Sequence, residues 1–474
     1  MGNEEKRKVI YGLDDKPKPF IKAFGLGIQH VLTMFGATVS VPLLLGPMMG
    51  MTKPEIGLLV TSVMLCSGIA TLFQIYIGSR LPIVQGVSWS FLGPFLGIIA
   101  VVGGMAAKQQ VPSGPLIMQY IAGAILLGAI VEMIVGWSGL IGRLEKILTP
   151  VVIGPVIMLI GLALFKYGAP KAGTYWPVSI LVIVCIFLFS QVLSRKYNLF
   201  KIFPILAAII AGYLVCAVLS ATGTFSAGHP CHIDLTPVRE AAWLRIWPIF
   251  GKGGIVFPWG LPKFSFAFFL CVLAGYLASM IESFGDYHAC AYMSGYGDYP
   301  TPKMISRGIG SEGLGCFCTS ILGGFASTSY SENIGLIGIT KVGSRYVVML
   351  GALFLIFLGI FAKFGALVAT IPVPIIGALY CALFGLISAV GIRQLSKADL
   401  NSDRNLMIAG FSLFMGLSLP AYFDGKKVVI ESAAWLADII NIVGSTGMAV
   451  AAVLGLILDN IIPGTPEERG MQKS

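Results

Sequence analysis

Residues 325–345 read FASTSYSENIGLIGITKVGSR, and this stretch decides the fold of the chain. Small, polar and β-prone residues come first, the carboxylate of Glu332 follows beside Asn333, and an apolar run then extends to Lys341 and Arg345. The apolar run is too short to cross a bilayer, which takes about 20 residues. Irregular backbone at membrane depth is tolerated only where it lines a cavity or is buried in protein. We therefore predict a short extended piece and then a half-helix that begins near Glu332 and aims free N–H groups at a cavity.

A re-entrant loop or a surface turn with an exposed glutamate is the alternative interpretation of this stretch. However, the segments on both sides of it are long enough to span a bilayer. An ionisable residue on a broken helix at membrane depth is a functional-site hypothesis by default.

The composition indicates a membrane protein with many spans. Of the 474 residues, 56% are hydrophobic and 11% are charged, whereas a soluble domain carries about 25% charged residues. The net charge of +10 is spread over short loops, so we expect no nucleic-acid partner. We expect no cleavable signal peptide either, because residues 1–19 are polar and basic and lack an apolar core.

The cysteines and histidines predict neither a cofactor nor a metal site. The nine cysteines fall mostly in apolar runs and are typical of small buried hydrophobic residues, not of a disulfide framework. The cluster His229-Pro230-Cys231-His232 could bind a metal, but a loop cluster of this kind is a weak signal. An enzyme needs a nucleophile or a metal set, and the sequence offers neither, so we expect no enzymatic activity.

Fourteen hydrophobic segments follow one another, which predicts an all-α polytopic membrane protein. The third and tenth segments are broken by small and polar residues, where we expect short strands. A long loop, 221–263, holds three of the seven Trp residues, which favours an interfacial segment lying on the membrane. The predicted segments are 24–45, 55–77, 82–102, 117–137, 148–165, 176–193, 203–220, 264–288, 305–322, 325–345, 347–364, 368–390, 406–422 and 447–462.

The distribution of basic residues and an internal sequence repeat predict the membrane topology. With the N-terminus inside, about two thirds of the 32 Lys and Arg residues fall on the inner side, which predicts two cytoplasmic termini. Glycine-rich motifs in the fourth and fifth segments resemble those in the eleventh and twelfth, about half a chain later. Seven segments per repeat is odd, so the second copy would be inverted in the membrane, as in many secondary transporters.

Polar residues deep in apolar sequence define a candidate site. They are Gln29 and His30 in the first segment, Glu282 and Asp286 in the eighth, Glu312 in the ninth, and Glu332 in the tenth. Glu282 and Asp286 are four residues apart and share one helix face. Because two carboxylates in a low-dielectric site repel each other, one of them tends to hold a proton and can couple proton entry to transport. Alternatively, the eighth helix ends in a solvated acidic turn, which suits Asp286 better than Glu282.

Two residues, His30 and Trp89, have two interpretations each. His30 is either a satisfied core histidine or, with Gln29, a group that orients others in the site. Trp89 lies on the break of the third segment, where it either stacks on a planar ring or packs between helices. Glu132 is isolated in its segment, and we interpret it as a structural carboxylate near the cytoplasmic end.

These motifs together resemble the nucleobase–ascorbate transporter family over nearly the whole chain. The resemblance rests on Gln29-His30, the box ESFGD at 282–286, RG…EG at 307–313, ENIG…TK at 332–341 and PG…EERG at 463–470. It implies fourteen spans in two inverted sevens, a core and a gate domain, elevator-like movement and usually a homodimer. The implied divisions are a cytoplasmic tail (1–23), core (24–139), gate (140–263), core (264–366), gate (367–464) and a second cytoplasmic tail (465–474).

The resemblance also implies roles for single residues. Glu282 and Glu332 would hydrogen-bond the substrate, and Ser331, Trp89 and Ala37 would line the pocket. Residues that support proton coupling and site geometry would be Glu282, Asp286, His30, Gln29, Asn333 and Glu312.

The substrate follows less directly, because the motifs point to different branches of the family. Glu332 resembles the uracil permeases and some plant members, whereas xanthine and urate carriers usually have glutamine there and ascorbate carriers have proline. Asp286 resembles the purine and ascorbate branches, since the uracil permeases usually carry histidine at that place. We expect proton-coupled import of uracil or a xanthine-type purine across the cell membrane. A sodium-coupled ascorbate or nucleobase carrier, and an anion exchanger of the same architecture, are alternatives of the same fold, and a channel is an alternative of another class.

Overall fold

The computed structural model describes residues 9–140, 149–296, 300–423, 426, 428–430 and 433–470. The ends of both predicted tails, and the basic residues Arg143 and Lys146, lie outside these ranges. Within them the helices are α1 (Phe20–Met48), α2 (Lys53–Tyr76), α3 (Leu92–Gln109), α4 (Ser113–Ser138), α5 (Pro150–Leu162), α6 (Phe165–Ala172), α7 (Trp176–Phe187), α8 (Asn198–Ile202), α9 (Pro204–Ala221), α10 (Thr236–Glu240), α11 (Phe266–Met293), α12 (Pro302–Leu322), α13 (Ser331–Thr340), α14 (Arg345–Ile360), α15 (Ala362–Val368), α16 (Val373–Leu395), α17 (Asp403–Phe423), α18 (Ala434–Ser445) and α19 (Gly447–Ile461). The strands are β1 (Gln85–Val87) and β2 (Ser327–Ser329).

The helices confirm a mostly helical, polytopic membrane protein. Among the described residues, 10 helices are long and apolar enough to cross a membrane, or 11 if α14 and α15 form one bent span. The predicted ninth, tenth and fourteenth segments fall on α12, α13 and α19, which do not pass that test of length and composition. The count of fourteen crossings therefore stays a prediction.

The two predicted breaks are short strands, and they pair with each other. β1 and β2 are antiparallel, with Gln85 opposite Ser329 and Val87 opposite Ser327. A Cβ atom at Gly86 would lie 2.5 Å from the Tyr330 ring, so only glycine allows this close approach. Strands at membrane depth are tolerated here because the pair is buried in protein on all sides.

Each strand leads into a half-helix, as the sequence predicted for the tenth segment. After β1, a 3₁₀ turn at Trp89–Phe91 continues into α3, and after β2, α13 begins at Ser331. Because the strands are antiparallel, the two half-helices begin at opposite ends of the pair. The first amides of a helix have no acceptor within it, so both starts are positive ends that favour an anionic group.

The predicted eleventh segment falls on α14 and the start of α15. It bends by 82° between α14 and α15. The loop before α11 supplies the missing backbone partners, since Arg245 N–H donates to Ile360 O at 2.7 Å and Ala362 N–H donates to Trp243 O at 3.1 Å. A contact more than 100 residues away in sequence therefore sets this bend.

The long loop agrees with the interfacial prediction only in part. Trp243 and Trp247 are 68% and 82% exposed, as an interfacial position requires. Trp259 is 5% exposed, and its indole N–H donates to the Gly323 carbonyl at 2.8 Å, so the prediction is wrong for this residue. The reason is that the buried end of α12 offers a carbonyl that its own helix does not use.

The C-terminal motif takes part in an ion cluster around a buried carboxylate. The carboxylate of Asp459 in α19 is fully buried and lies 2.9 Å from Arg404 and 2.7 Å from Arg469. Thr149 donates a further hydrogen bond to it at 2.8 Å. Nearby, the Ser402 hydroxyl donates to Glu468 and lowers the pKa of that carboxyl.

Replacing Asp459 with alanine is expected to destabilise the protein by about 3–5 kcal/mol, because it leaves two partly buried guanidinium groups without a counter-charge. The measurement is thermal unfolding of the purified protein in detergent. Asp14→Ala is the matched control, since Asp14 pairs with Arg345 while 84% exposed, and its loss should cost less than about 1 kcal/mol. Equal melting temperatures for the two variants would contradict this prediction.

Candidate functional site

Helix α11 presents two polar faces, and the first of them carries Glu282 and Asp286. The two oxygens of the Asp286 carboxyl group lie 2.7 Å from the hydroxyl of Ser329 at the end of β2 and 2.7 Å from the hydroxyl of Ser331 at the start of α13. The charges of Asp286 and Glu332 both act on Glu282. The structure thus brings together Glu282, Asp286, Ser331 and Glu332, all of which the sequence proposed for the site.

Glu332 lies in the first turn of α13 and faces an accessible space. Its side chain is exposed to solvent, although protein atoms surround it densely. A residue with both properties lines a cleft, not an outer surface. Ser331 is exposed as well, so the start of this half-helix is open to a small ligand.

His30 and Asn333 join α1 to α13 behind this cleft. Asn333 is fully buried, and its amide donates to the His30 carbonyl at 2.9 Å and lies 3.2 Å from His30 Nδ1. His30 is itself buried, so it orients Asn333 and does not reach the accessible space. The neighbouring Gln29 is half-buried, and its Oε1 has no hydrogen-bond partner among the described residues.

Trp89 lies in the turn that follows β1, and Ala37 lies in α1. The half-buried Trp89 ring meets Phe384 of α16 edge-on, with 5.9 Å between centroids, and Phe384 stacks on Tyr380 at 5.2 Å. Ala37 is buried within α1. Trp89 therefore packs between helices, and its remaining exposed surface is free to contact a ring.

The second polar face of α11 surrounds Glu312, which projects from α12. Hydroxyl groups of Ser279, Ser283 and Tyr287 donate to this carboxylate at 2.9, 2.6 and 3.1 Å. Glu312 is 1% exposed, so it lies deeper than the carboxylates at the cleft. A buried carboxylate that accepts three hydrogen bonds is stabilised as an anion.

Glu132 is not isolated in space, although it is isolated in its sequence. It is fully buried on α4, where its charge interacts with that of Glu312. The two helices touch through their backbones, since a Cβ at Gly136 would lie 2.2 Å from the Gly310 nitrogen. Neither oxygen of Glu132 has a hydrogen-bond partner among the described residues, an arrangement that is costly for an ionised carboxylate.

The two loop histidines, His229 and His232, form hydrogen bonds with backbone groups. His232 Nδ1 lies 2.9 Å from the Phe225 carbonyl, and His229 Nδ1 accepts from the Cys231 amide at 3.1 Å. Within the described ranges, no group of three or more His, Cys, Asp or Glu residues could hold a metal ion.

Comparison with known proteins places these elements in a family. A family model described as a permease family matches residues 21–425. Solute carrier family 23 member 2 of Mus musculus is 38% identical over 99% of this chain and 77% of its own length. The chain belongs to the nucleobase–ascorbate transporter family. A plant relative, nucleobase-ascorbate transporter 2 of Arabidopsis thaliana, is 33% identical over 97% of this chain and 90% of its own length.

Solved structures share the fold of this nucleobase–ascorbate transporter family member at low identity. The transmembrane domain of the cyanobacterial bicarbonate transporter BicA has a TM-score of 0.51 at 14% identity, covering 94% of this chain and 99% of its own. SLC26A9 has a TM-score of 0.55 at 13% identity, covering 94% of this chain and 66% of its own. These neighbours support a membrane transporter fold and say nothing about the substrate.

Sequence reasoning missed the hydroxyl groups around the acids of this family member. Ser279, Ser283 and Tyr287 follow each other at intervals of four residues on α11, a spacing that places them on one helix face. That spacing was a usable signal. Ser329 gave none, because only the strand pairing places it beside Asp286.

Proposed function

We propose that this protein is a secondary active transporter that carries a nucleobase, uracil or a xanthine-type purine, into the cell together with a proton. The observation that supports this most is the position of Glu332. It is a carboxylate at the open start of a half-helix, beside Glu282 and Asp286. Transport, rather than an enzymatic reaction, fits the permease family to which the chain belongs.

The chemistry of the cleft favours a planar ring with N–H donors. An ionised carboxylate only accepts hydrogen bonds, and its two oxygens can take two donors from one ring. Uracil and xanthine-type purines present adjacent N–H and C=O groups, so Glu332 and Glu282 can bind the donors while the amides at the start of α13 bind the carbonyls. Trp89 offers an aromatic face for the ring, and Ala37 leaves room beside it.

A sodium-coupled ascorbate or nucleobase carrier of the same fold is the second candidate. The printed name of the plant relative includes both substrate classes. Glu332 argues against ascorbate, because ascorbate is an anion and would meet a negative charge at this place. An anion exchanger is disfavoured for the same reason, since the first turn of α13 carries Glu332 and no basic residue.

The proposed architecture has fourteen crossings in two inverted sevens. It counts α12, the β2–α13 unit, the α14–α15 pair and α19 together with the ten long helices. The pairing of the two strand-broken segments, the third and the tenth, supports this arrangement. Core segments 1–4 and 8–11 would move as an elevator against gate segments 5–7 and 12–14, and the contact of Trp89 with Phe384 would join these two parts.

The proposed setting is the plasma or inner membrane, with both termini in the cytoplasm and a second copy as the partner in a homodimer. Helices α7, α9 and α17 expose most of their apolar surface, which suits contact with lipid or with that second copy.

Equilibrium binding in detergent tests the substrate assignment. Labelled uracil, xanthine and ascorbate are offered to the purified protein, and we expect saturable binding of uracil or xanthine and none of ascorbate. A Glu240→Gln variant serves as a control and should bind like wild type, because Glu240 lies at the end of the exposed helix α10. Saturable binding of ascorbate alone would contradict the proposal.

A further inference from the structure

An unbroken row of oxygens joins the cleft to the deep carboxylate. Asp286 Oδ2 lies 2.7 Å from the Ser329 hydroxyl, which lies 2.9 Å from the Ser283 hydroxyl, which lies 2.6 Å from Glu312 Oε2. All four side chains are buried. The row has a carboxyl group at each end and two serine hydroxyls between them.

Filling all three contacts of this row with hydrogen bonds takes one proton besides the two hydroxyl protons. Three contacts need three hydrogens, and the two hydroxyls of Ser283 and Ser329 supply two. If both serines donated outwards to ionised carboxylates, their own oxygens would face each other at 2.9 Å with no hydrogen between them. The third hydrogen must therefore come from a carboxyl group, either Asp286 or Glu312.

Thr328 does not change this count. Its hydroxyl lies 3.1 Å from Ser283 and can donate to it, but it cannot supply a hydrogen to the contact between Ser283 and Ser329.

We propose that Ser283 and Ser329 relay a proton between Asp286 at the cleft and Glu312 at the α4–α12 contact, an inference that rests on the proposed proton-coupled transport. Asp286 gives its proton to Ser329, Ser329 gives its own to Ser283, and Ser283 gives its own to Glu312. Each serine oxygen breaks one O–H bond and forms one. The net result is that one proton moves from Asp286 to Glu312. Each serine O–H bond then points the other way along the row.

Glu132 supplies an independent reason to place a mobile proton at the deep end. It faces Glu312 from α4, is fully buried, and has no hydrogen-bond partner among the described residues. It lies six residues, about 9 Å, before the end of α4 at Ser138. A proton that reaches Glu312 therefore has a second carboxyl group beside it on the way to the helix end.

The titratable and charged groups around the relay come from five helices. Around Glu312 they are Glu132 on α4, Tyr276 and Tyr287 on α11, and Cys316 on α12. Around Asp286 they are Glu282 and Cys290 on α11, Ser331 and Glu332 on α13, and, at longer range, Arg393 on α16. Among the described residues, no basic group touches the row itself. No fixed positive charge therefore takes the place of the extra proton in balancing the two carboxylates.

The test compares two assays in proteoliposomes with labelled uracil or xanthine. One is accumulation driven by an imposed proton gradient, and the other is counterflow exchange, which needs no net proton movement. Ser329→Ala and Ser283→Ala each break the row, and we expect both to lose accumulation while exchange remains measurable. Ser329→Thr keeps a hydroxyl at the break and is expected to restore accumulation.

Ser320→Ala is the control for the loss of a buried hydroxyl, since the Ser320 hydroxyl on α12 donates to the Phe317 carbonyl of its own helix, and this variant should accumulate substrate like wild type. Accumulation in both Ser329→Ala and Ser283→Ala at the level of this control would overturn the relay and leave the proposed function intact. Wild-type accumulation driven only by sodium would overturn the proposed proton coupling and the relay with it.

Discussion

Glu282→Ala is expected to abolish uptake of every substrate, with initial rates at least about 100-fold below wild type. Glu282 lies at the cleft, where Asp286 and Glu332 act on its charge. Alanine removes both an acceptor for a ring N–H and a proton-binding group, and losing a charged hydrogen bond costs about 1.5–3 kcal/mol by itself. The measurement is the initial rate of uracil and xanthine uptake per mole of reconstituted protein.

Glu240→Ala is the control for that measurement, because Glu240 is an exposed glutamate at the end of α10. It should transport like wild type. Near-normal uptake by Glu282→Ala, at equal protein in the membrane, would remove Glu282 from the binding site.

Glu332→Gln is expected to change the preference among ring substrates by about tenfold, which corresponds to one altered hydrogen bond. The carboxylate accepts two hydrogen bonds, whereas the amide that replaces it accepts with one atom and donates with the other. Glutamine therefore favours a ring that presents a carbonyl and an N–H at this place over one that presents two N–H groups. Competition of uracil, xanthine and uric acid against a labelled substrate in counterflow measures the change.

Protein abundance and melting temperature are the controls for Glu332→Gln, and both should stay close to wild type because the side chain faces accessible space. Glu332→Asp keeps the charge and should preserve the order of substrates. An equal loss for every substrate, in a well-expressed variant, would argue against a role of Glu332 in recognition.

The features that could be predicted from the sequence are those in which polar residues interrupt an apolar segment. The breaks at Gly86 and Ser327–Ser329 stood out because small polar residues are rare at membrane depth, and both are strands in the structure. Glu282, Asp286 and Glu332 stood out for the same reason. The half-helix start at Ser331 followed from the length of the apolar run after it.

The features that could not be predicted depend on contacts between distant parts of the chain. Ser329 lies beside Asp286 only because β2 pairs with β1 and leads into α13. The bend between α14 and α15 depends on backbone partners at Trp243 and Arg245, which a local pattern cannot reveal. Glu132 appeared isolated because its neighbour in space, Glu312, follows it by 180 residues.

Uptake driven by imposed gradients is the most direct test of the central claim. Wild-type protein in proteoliposomes is given labelled uracil, xanthine or ascorbate, with either a proton gradient or a sodium gradient. The cleft carboxylates predict accumulation of uracil or xanthine with a proton gradient alone, abolished by a protonophore. Accumulation of ascorbate with a sodium gradient alone would keep the fold and the family, and would contradict both the substrate assigned to Glu332 and the proton assigned to Glu282 and Asp286.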